Sequence, residues 1–351
     1  MLLVFLFGGL GIYLFQIRPY KEPKTKEKET NVDAALYTEE EQEAVLQGFE
    51  KLYQMTFQDA SKAVHASIVI PGLRATKTMC SEDEISICTS MTPQGLCVAD
   101  EFLLISAYCH TSRHHSVIYV LDKYSHKFVK EIVLDGKDHV GGLAYDSKHK
   151  NIWVSTNKSG QANVSSFSMQ MLKAYNLKTS ERAIRYEQEY RLPALKRNSF
   201  MTYNEGWLYV GCFSEKEESV VQKYKICEFG GLEITELEQN NDSNADKVSR
   251  YVKKLPKQIQ GIDIGQNRMF LSKSYGVAKS ELMICERKNA ETLDGAVIVR
   301  ITMPQKLQQI CLEGKYLYVL FESAAYVYRM QPVPKVDRVL MLNVEKYLGE
   351  E

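Results

Sequence analysis

The stretch 142-GLAYDSKHKNIWVS-155 consists of an apolar run, a polar turn and a second apolar run, a pattern that predicts a β-hairpin. The same pattern recurs four times. The other copies are 95-GLCVADEFLLIS-106, 200-FMTYNEGWLYVG-211, 261-GIDIGQNRMFLS-272 and 309-QICLEGKYLYVL-320. Five hairpins in one alignment indicate an internal repeat, because chance would not keep the same order of apolar and polar positions five times.

The spacing of the repeats indicates what each unit contains. Successive copies start 47, 58, 61 and 48 residues apart, which leaves room for two more strands per unit. The runs predicted as third and fourth strands are 117–122 and 128–134, 172–177 and 186–193, 220–226 and 232–237, 281–286 and 297–304, and 325–330 and 338–344. Four strands per repeat predict an all-β fold, a β-propeller, because a lone four-stranded blade cannot cover its own faces.

The predicted propeller spans 66–346 and has five blades, with six as the alternative. The segment 66-ASIVIP-71 resembles the ends of the predicted outer strands. It can close the ring with the last blade, or it can belong with 72–92 to the remnant of a sixth. The connections 156–170 and 238–256 are interpreted as loop insertions.

The N-terminal segment 1–17 is almost entirely apolar and is interpreted as a membrane anchor, with a cleaved signal peptide as the alternative. Positive residues follow it, which by charge alone places the remainder in the cytoplasm. This orientation conflicts with the preferred interpretation, in which the chain is anchored in the cell membrane and the propeller faces the extracytoplasmic side. The alternative location is secretion. The polar stretch 18–37 predicts a solvated linker, and a capping box at Thr38 and Glu41 begins an amphipathic helix predicted over 38–64.

Composition narrows the function classes. The 44 basic residues balance the 44 acidic ones, so nothing indicates a nucleic-acid partner. The eight cysteines form no C-x-x-C motif, which argues against a zinc ribbon. Cys80 and Cys88 bracket a short acidic loop and are the predicted disulfide pair, since disulfides are permitted in an exported chain.

The repeat alignment predicts a ligand site at one mouth of the central channel. In a propeller the innermost strand starts and the second strand ends on the same face. The ligand-binding residues predicted on that face are Gln94, His110, His139, Ser199, Gln260, Tyr275, Gln308 and Glu322. Convergent polar groups in a concave site favour ligand binding. The alternative interpretation is that the glutamines only solvate the channel.

The histidines are concentrated in 106–149, but the alignment separates them. His110 and His139 fall at the predicted mouth and His149 on the opposite face. His110, His139 and Asp263 are the candidates for a divalent metal, although no paired metal-ligand motif occurs and no cofactor is expected. Asp263 with Glu322 is a possible carboxylate pair for hydrolysis, but no serine-nucleophile motif is present, so an enzyme is the less favoured interpretation.

The unit VIYVLDKYSHKFVKEIVLDGKDHVGGLAYDSKHKNIWVS resembles the YncE-like and NHL-like β-propellers of exported bacterial proteins. The resemblance is at the level of the repeat and spans about 93–330. It implies a rigid platform outside the cytoplasm that binds a protein, peptide or glycan. Some related propellers are lactonases or other hydrolases with a channel metal, which makes a metal-dependent hydrolase the alternative. The repeats here are longer and less regular, and a clear carboxylate set for such a metal is lacking.

Overall fold

The computed structural model describes residues 22–57, 67–234, 252–288 and 293–349. The apolar segment 1–17 lies outside the described residues, as do 58–64 of the predicted helix and most of the connection 238–256. The described strands form five four-stranded antiparallel sheets and one separate hairpin. The five-bladed all-β propeller predicted from the repeats is therefore confirmed.

Strands are numbered in chain order, and each blade is described from the channel outward. The inner strands are β4 (Met91–Ala99), β8 (Leu143–Asp146), β12 (Phe200–Asn204), β16 (Ile259–Ile264) and β20 (Leu307–Glu313). The second strands are β5 (Phe102–Cys109), β9 (Asn151–Lys158), β13 (Trp207–Cys212), β17 (Arg268–Lys273) and β21 (Tyr316–Phe321). The third strands are β6 (Val117–Asp122), β10 (Gln161–Ser168), β14 (Ser219–Lys225), β18 (Ser280–Glu286) and β22 (Arg338–Asn343). The outer strands are β7 (Phe128–Val133), β11 (Gln188–Arg191), β15 (Val252–Leu255), β19 (Val297–Met303) and β1 (Ser67–Val69).

The ring closes through the N-terminal strand. β1 pairs antiparallel with β22, with Ile68 opposite Val339, so the fifth blade combines both ends of the propeller. This pairing removes an open sheet edge and favours closure over a sixth blade. Within 72–92 the chain forms the separate hairpin β2 (Thr76–Met79) and β3 (Ile85–Cys88) before it enters β4.

Three of the predicted outer regions were assigned wrongly. In blade 2 the third strand is β10, inside the presumed loop 156–170, whereas 172–177 falls on helix α3 (Met169–Ala174), followed by α4 (Leu177–Ser180). Ser168 caps α3 by accepting a hydrogen bond from the Met171 amide, which stops the strand and starts the helix.

In blade 3 the outer strand is β15, while Leu232 in the predicted strand makes only an isolated bridge to Ile226. In blade 5 the segment 325–330 contains a 3-10 helix, Tyr326–Tyr328, and the third strand is β22. A second 3-10 helix, Glu345–Tyr347, follows β22.

Two short helices precede the propeller where one long helix was predicted. They are α1 (Glu39–Gln47) and α2 (Glu50–Phe57), with Gly48 closing the first. The capping box at Thr38 and Glu41 is formed. Both helices bury apolar side chains, such as Leu46 and Leu52, against the outer surfaces of blades 4 and 5.

The described part of the predicted linker is docked on the propeller. Thr30 donates to Glu131 on the outer strand of blade 1 at 3.0 Å, and the Leu36 amide donates to Asp337 at 2.9 Å. Among the described residues, we find no helix with the length and apolar character required to cross a membrane.

Glycine–serine pairs hold the inner strands close to their neighbours. Ser106 accepts from the Gly95 amide at 2.9 Å and donates to the Val140 carbonyl at 2.7 Å, which links blades 1 and 2. A side chain at Gly95 would lie 2.4 Å from the Ser106 hydroxyl, so the bond requires glycine. In blade 4, Ser272 likewise donates to the Gln308 carbonyl of blade 5 at 2.7 Å, and a side chain at Gly261 would lie 2.7 Å from its hydroxyl.

Candidate functional site: the channel mouth

The central channel has a cavity at each end. The mouth cavity lies where the inner strands start and has a volume of about 720 Å³. The opposite cavity, at the other ends of these strands, measures about 470 Å³ and shares no lining residue with the first. The buried Gln309 side chain, which lines the opposite cavity, crosses from blade 5 to Leu143 in blade 2 and Met201 in blade 3. One amide therefore joins the inner strands of three blades.

The structure brings most of the predicted ligand-binding residues together. The mouth cavity is lined by seven of the eight: Gln94, His139, Ser199, Gln260, Tyr275, Gln308 and Glu322. His110 is not among the lining residues and lies behind Tyr108, whose hydroxyl is 3.3 Å from His110 Nδ1. The Tyr108 ring packs on the ring of His139 with 4.3 Å between centroids, so His110 borders the site indirectly.

Glu322 provides the buried carboxylate of the mouth. Its Oε2 accepts from Gln94 Nε2 at 2.7 Å, and only 7% of the residue is exposed. Burial raises the pKa of Glu322 to about 7, against the opposing effect of the Lys306 ammonium and of hydrogen bonds from Gln94, Tyr328 and Gln308. The group can therefore exchange a proton near neutral pH.

Basic side chains border this carboxylate. Lys306 is buried, and its ammonium lies 4.1 Å from the centre of the Tyr328 ring. Burial lowers the pKa of Lys306, while the neighbouring Glu322 raises it. Lys196 and Arg197 are exposed on the cavity wall, and within the described part of the chain neither forms an ion pair.

His139 contributes a neutral ring to the wall. Desolvation by the surrounding protein lowers the pKa of His139, and the charges of Arg197 and His110 lower it further, although the side chain is exposed at the mouth. The imidazole thus offers one donor and one acceptor at neutral pH.

Three residues on the same rim adopt an uncommon backbone conformation. Val140, Gln258 and Lys306 have φ angles of 45°, 69° and 69°, in the left-handed region that side chains disfavour. Each lies just before an inner strand, in the turn that enters the mouth. Eight further described non-glycine residues share this conformation in other parts of the chain, so it does not by itself mark the mouth as a ligand site.

Asp263 lies in the opposite cavity, so the predicted carboxylate pair is not formed. Its Oδ1 accepts from Thr202 Oγ1 at 2.6 Å and from the Ile264 amide at 2.8 Å, and its Oδ2 accepts from the Leu312 amide. Burial raises the pKa of Asp263, and these bonds lower it. Donors from blades 3, 4 and 5 thus satisfy this buried carboxylate.

The three predicted metal candidates do not converge. His139 lines the mouth cavity, His110 lies beside it and Asp263 lines the cavity at the other end. His149, predicted on the opposite face, bonds Asp146 Oδ2 through Nδ1 at 2.6 Å and stabilises its own turn. Nothing in the described residues brings these histidines and Asp263 to one point.

The predicted disulfide between Cys80 and Cys88 is not formed, and all eight cysteines are free. Cys88 ends β3 opposite Thr76, whereas Cys80 lies beyond β2 and bridges His114. Cys80 therefore lies at the turn of the hairpin and Cys88 at its open end.

Several lining residues were missed at the level of sequence. Lys196, Arg197 and Lys306 lie two or three residues before Ser199 and Gln308, which the repeat placed in one column at the mouth. Extending that column toward the N-terminus would have found them. Tyr328 comes from the 3-10 helix of blade 5, in a segment that resembled a strand, and no sequence signal marked it.

Comparisons with known proteins identify no family. No protein-family model matches the sequence, and no curated protein matches it. Among solved structures, the chain is similar to hydrazine synthase of Kuenenia stuttgartiensis, with 12% identity and a TM-score of 0.35 over 65% of this chain and 55% of that one. It thus spans little more than half the length of that chain.

Two further structures are similar. A chain in a nidogen/laminin complex has 12% identity and a TM-score of 0.40 over 70% of this chain and 84% of that one. A functionally unknown protein from Desulfotomaculum acetoxidans DSM 771 has 14% identity and a TM-score of 0.39 over 73% and 72%. At these identities and TM-scores the likenesses carry no argument about this chain.

Proposed function

We propose that this propeller is a binding platform whose mouth cavity receives an extended segment of a protein partner. The observation that carries the proposal is the convergence of polar side chains from around the ring on one concave site. Gln94, Ser199, Gln260 and Gln308 come from or precede the inner strands of four different blades. Concave sites with a few convergent polar groups are the usual places of ligand recognition.

The chemistry of these groups suits a polypeptide. Amide side chains donate and accept at once, as peptide groups do, so Gln260 and Gln308 can bond an inserted backbone, while the Gln94 amide donates to Glu322 and to the Pro93 carbonyl and offers only its oxygen. Phe213 and Tyr275 pack at the rim with 6.2 Å between ring centroids, which supplies apolar surface for a side chain next to the amides. A volume of about 720 Å³ falls in the ordinary range of ligand sites, roughly 300–1,000 Å³.

The charges of the rim favour a segment that carries a carboxylate. The exposed side chains of Lys196 and Arg197 line the cavity. Burial raises the pKa values of the acidic residues in the same lining, Asp138 and Glu322, so their negative charge opposes this positive charge less. A fixed positive rim attracts acidic side chains over about one Debye length, roughly 8 Å at physiological salt. We therefore expect binding to weaken as salt rises.

The experiment is a selection of peptides from a random display library on the purified chain. Selected peptides are then measured by calorimetry on the parent and on a Gln260→Ala, Gln308→Ala double variant. We expect acidic residues among the selected sequences and at least a tenfold loss of affinity in the double variant, since each lost hydrogen bond is worth about 1 kcal/mol. Arg197→Ala should reduce both the affinity and its salt dependence.

The matched control is Lys123→Ala, which changes a residue that lines the opposite cavity. It should leave affinity for the selected peptides unchanged. Peptides that bind the parent, the double variant and the control equally would show that the mouth is not the site. The parent and the same variants are also tested on a glycan array. Glycan binding that the double variant loses, without any peptide binding, would show that the ligand is a sugar and not a peptide.

A metal-dependent hydrolase at the same mouth is the alternative function. It would require Asp263 near His139, whereas the two line separate cavities. A divalent ion that purified protein retains and that His139→Ala releases would nevertheless support it. No observation in the described residues favours this alternative over binding.

We also propose that the segment 1–17 tethers the propeller to the cell membrane, with the propeller on the outer side. The proposal rests on the apolar sequence of that segment and on the resemblance to exported propellers. Fractionation of cells, followed by protease treatment of intact cells and of lysed cells, tests it. Degradation of the propeller in intact cells is expected, and protection until lysis would reverse the orientation.

A further inference from the structure

Four side chains with metal-binding groups meet beside blade 1, away from the channel. Cys88 ends β3, Cys109 ends β5, His114 lies in the connection to β6 and Glu22 belongs to the N-terminal segment. Both cysteines and His114 are buried, and the Glu22 side chain is 12% exposed. The ligand atoms all lie within 4.8 Å of one another.

The distances among these atoms match the edges of a small tetrahedron. Cys109 Sγ lies 3.5 Å from both His114 Nδ1 and Glu22 Oε1, and the latter two atoms are 3.7 Å apart. Around zinc, with bonds of about 2.3 Å to sulfur and about 2.0–2.2 Å to nitrogen or oxygen, tetrahedral angles give edges of about 3.3–3.8 Å. One ion of that size can therefore reach the three atoms without rearranging them.

Outer contacts orient the four groups. The Ser90 amide donates to Cys88 Sγ at 3.4 Å, and Thr111 Oγ1 lies 3.1 Å from Cys109 Sγ and also bonds Glu22 Oε1. The second ring nitrogen of His114, Nε2, lies 3.5 Å from Ser86 Oγ, which leaves Nδ1 facing the cluster. Such contacts to sulfur and to the remote nitrogen fix ligand orientation in metal sites.

We propose that Glu22, Cys88, Cys109 and His114 bind one zinc ion as a closed structural site. Two thiolates and an imidazole are ligands that zinc prefers, and four protein ligands leave no open position for a reaction. The ion offsets the negative charge of the thiolates and the carboxylate. It joins the N-terminal segment, the β2–β3 hairpin and the connection after β5, so the free energy of binding contributes to folding.

Metal content and cobalt substitution of the full chain test the site. We expect one zinc per chain after purification under reducing conditions. Replacement by cobalt should give visible ligand-field bands of tetrahedral strength and a near-ultraviolet sulfur-to-metal band of the intensity of two thiolates. Cys109→Ser and His114→Ala should each abolish stoichiometric binding, and Glu22→Gln should weaken it at least tenfold.

The matched control is Cys285→Ser, which changes a buried cysteine in blade 4 and should retain the ion. The cobalt spectrum of the parent decides the matter even where a variant does not fold. Reduced parent protein that takes up neither zinc nor cobalt would overturn the proposal. So would a disulfide between Cys88 and Cys109, found by peptide mass mapping of protein that was prepared without a reductant.

Discussion

The channel holds one buried carboxylate at each end, and the two are treated differently by their surroundings. Asp263 receives three hydrogen bonds from blades 3, 4 and 5, two of them from backbone amides. Glu322 receives its bonds from side chains, Gln94 among them, and faces a cavity with Lys306 beside it. Both carboxylates line a cavity and are 7% exposed, yet backbone amides hold Asp263 whereas side chains hold Glu322.

The largest effect is expected at Asp263. Asp263→Ala leaves the Thr202 hydroxyl and the amides of Ile264 and Leu312 without their acceptor, at a cost of about 4 kcal/mol in the free energy of unfolding. Denaturant unfolding followed by circular dichroism measures this loss. Asp263→Asn is the control, because it keeps one carbonyl oxygen and should lose clearly less. A loss in Asp263→Ala below about 1 kcal/mol would contradict the structural role.

The next effect is a pH dependence at Glu322. Its pKa is about 7 in the folded chain and lies near its ordinary value of 4.5 in the unfolded one. The folded state therefore holds the proton more tightly between these values, so the contribution of Glu322 to stability decreases as pH rises from 4.5 to 7 and is constant above. Glu322→Gln, which stays neutral, should gain on the parent by about 3 kcal/mol across that range.

Unfolding of parent and variant in parallel isolates this contribution, because other carboxylates titrate in both proteins. A stability difference that does not change with pH would show that Glu322 titrates normally. Asp263→Asn supplies the comparison at the other end of the channel, and peptide binding to Glu322→Gln supplies the functional readout.

The repeat predicted the inner half of each blade because the inner and second strands are buried and joined by a tight turn. Trp153 and Phe270, at the same alignment column, are completely buried. The third strand β10 is buried, but its sequence QANVSSFS is mostly small and polar, and the outer strand β15 has only four residues, VKKL. Neither could be located by the apolar pattern, and β1 pairs with β22 from the far end of the chain.

The mouth site was also predictable only in part, from the residues that adjoin the inner and second strands. Strand direction alone placed Gln94 and Gln308 at one mouth, since it fixes which strand ends share a face. Asp263 lies inside an inner strand, and the repeat did not show that its side chain enters the opposite cavity and not the mouth. The cluster of Glu22, Cys88, Cys109 and His114 could not be recognised from a sequence motif, because its members come together only when the β2–β3 hairpin docks on blade 1.

Gln309 joins the inner strands of blades 2, 3 and 5, and a moderate effect is expected from its removal. Gln309→Leu leaves the amide and carbonyl of Leu143 and the carbonyl of Met201 without partners, which should cost about 2 kcal/mol. Gln260→Leu is the control, since Gln260 makes one long bond of 3.3 Å and is only half-buried. Equal stability losses in the two variants, measured by thermal unfolding, would show that Gln309 does not bridge the channel.

The smallest effect is expected at Gln94, the direct partner of Glu322. Gln94→Leu removes the hydrogen bond to Oε2, which favours the charged carboxylate, so the pKa of Glu322 should rise further. The pH dependence of stability should then extend upward by roughly half a unit, and overall stability should fall by about 1 kcal/mol. An unchanged midpoint would mean that solvent in the cavity, and not the Gln94 amide, sets the protonation of Glu322.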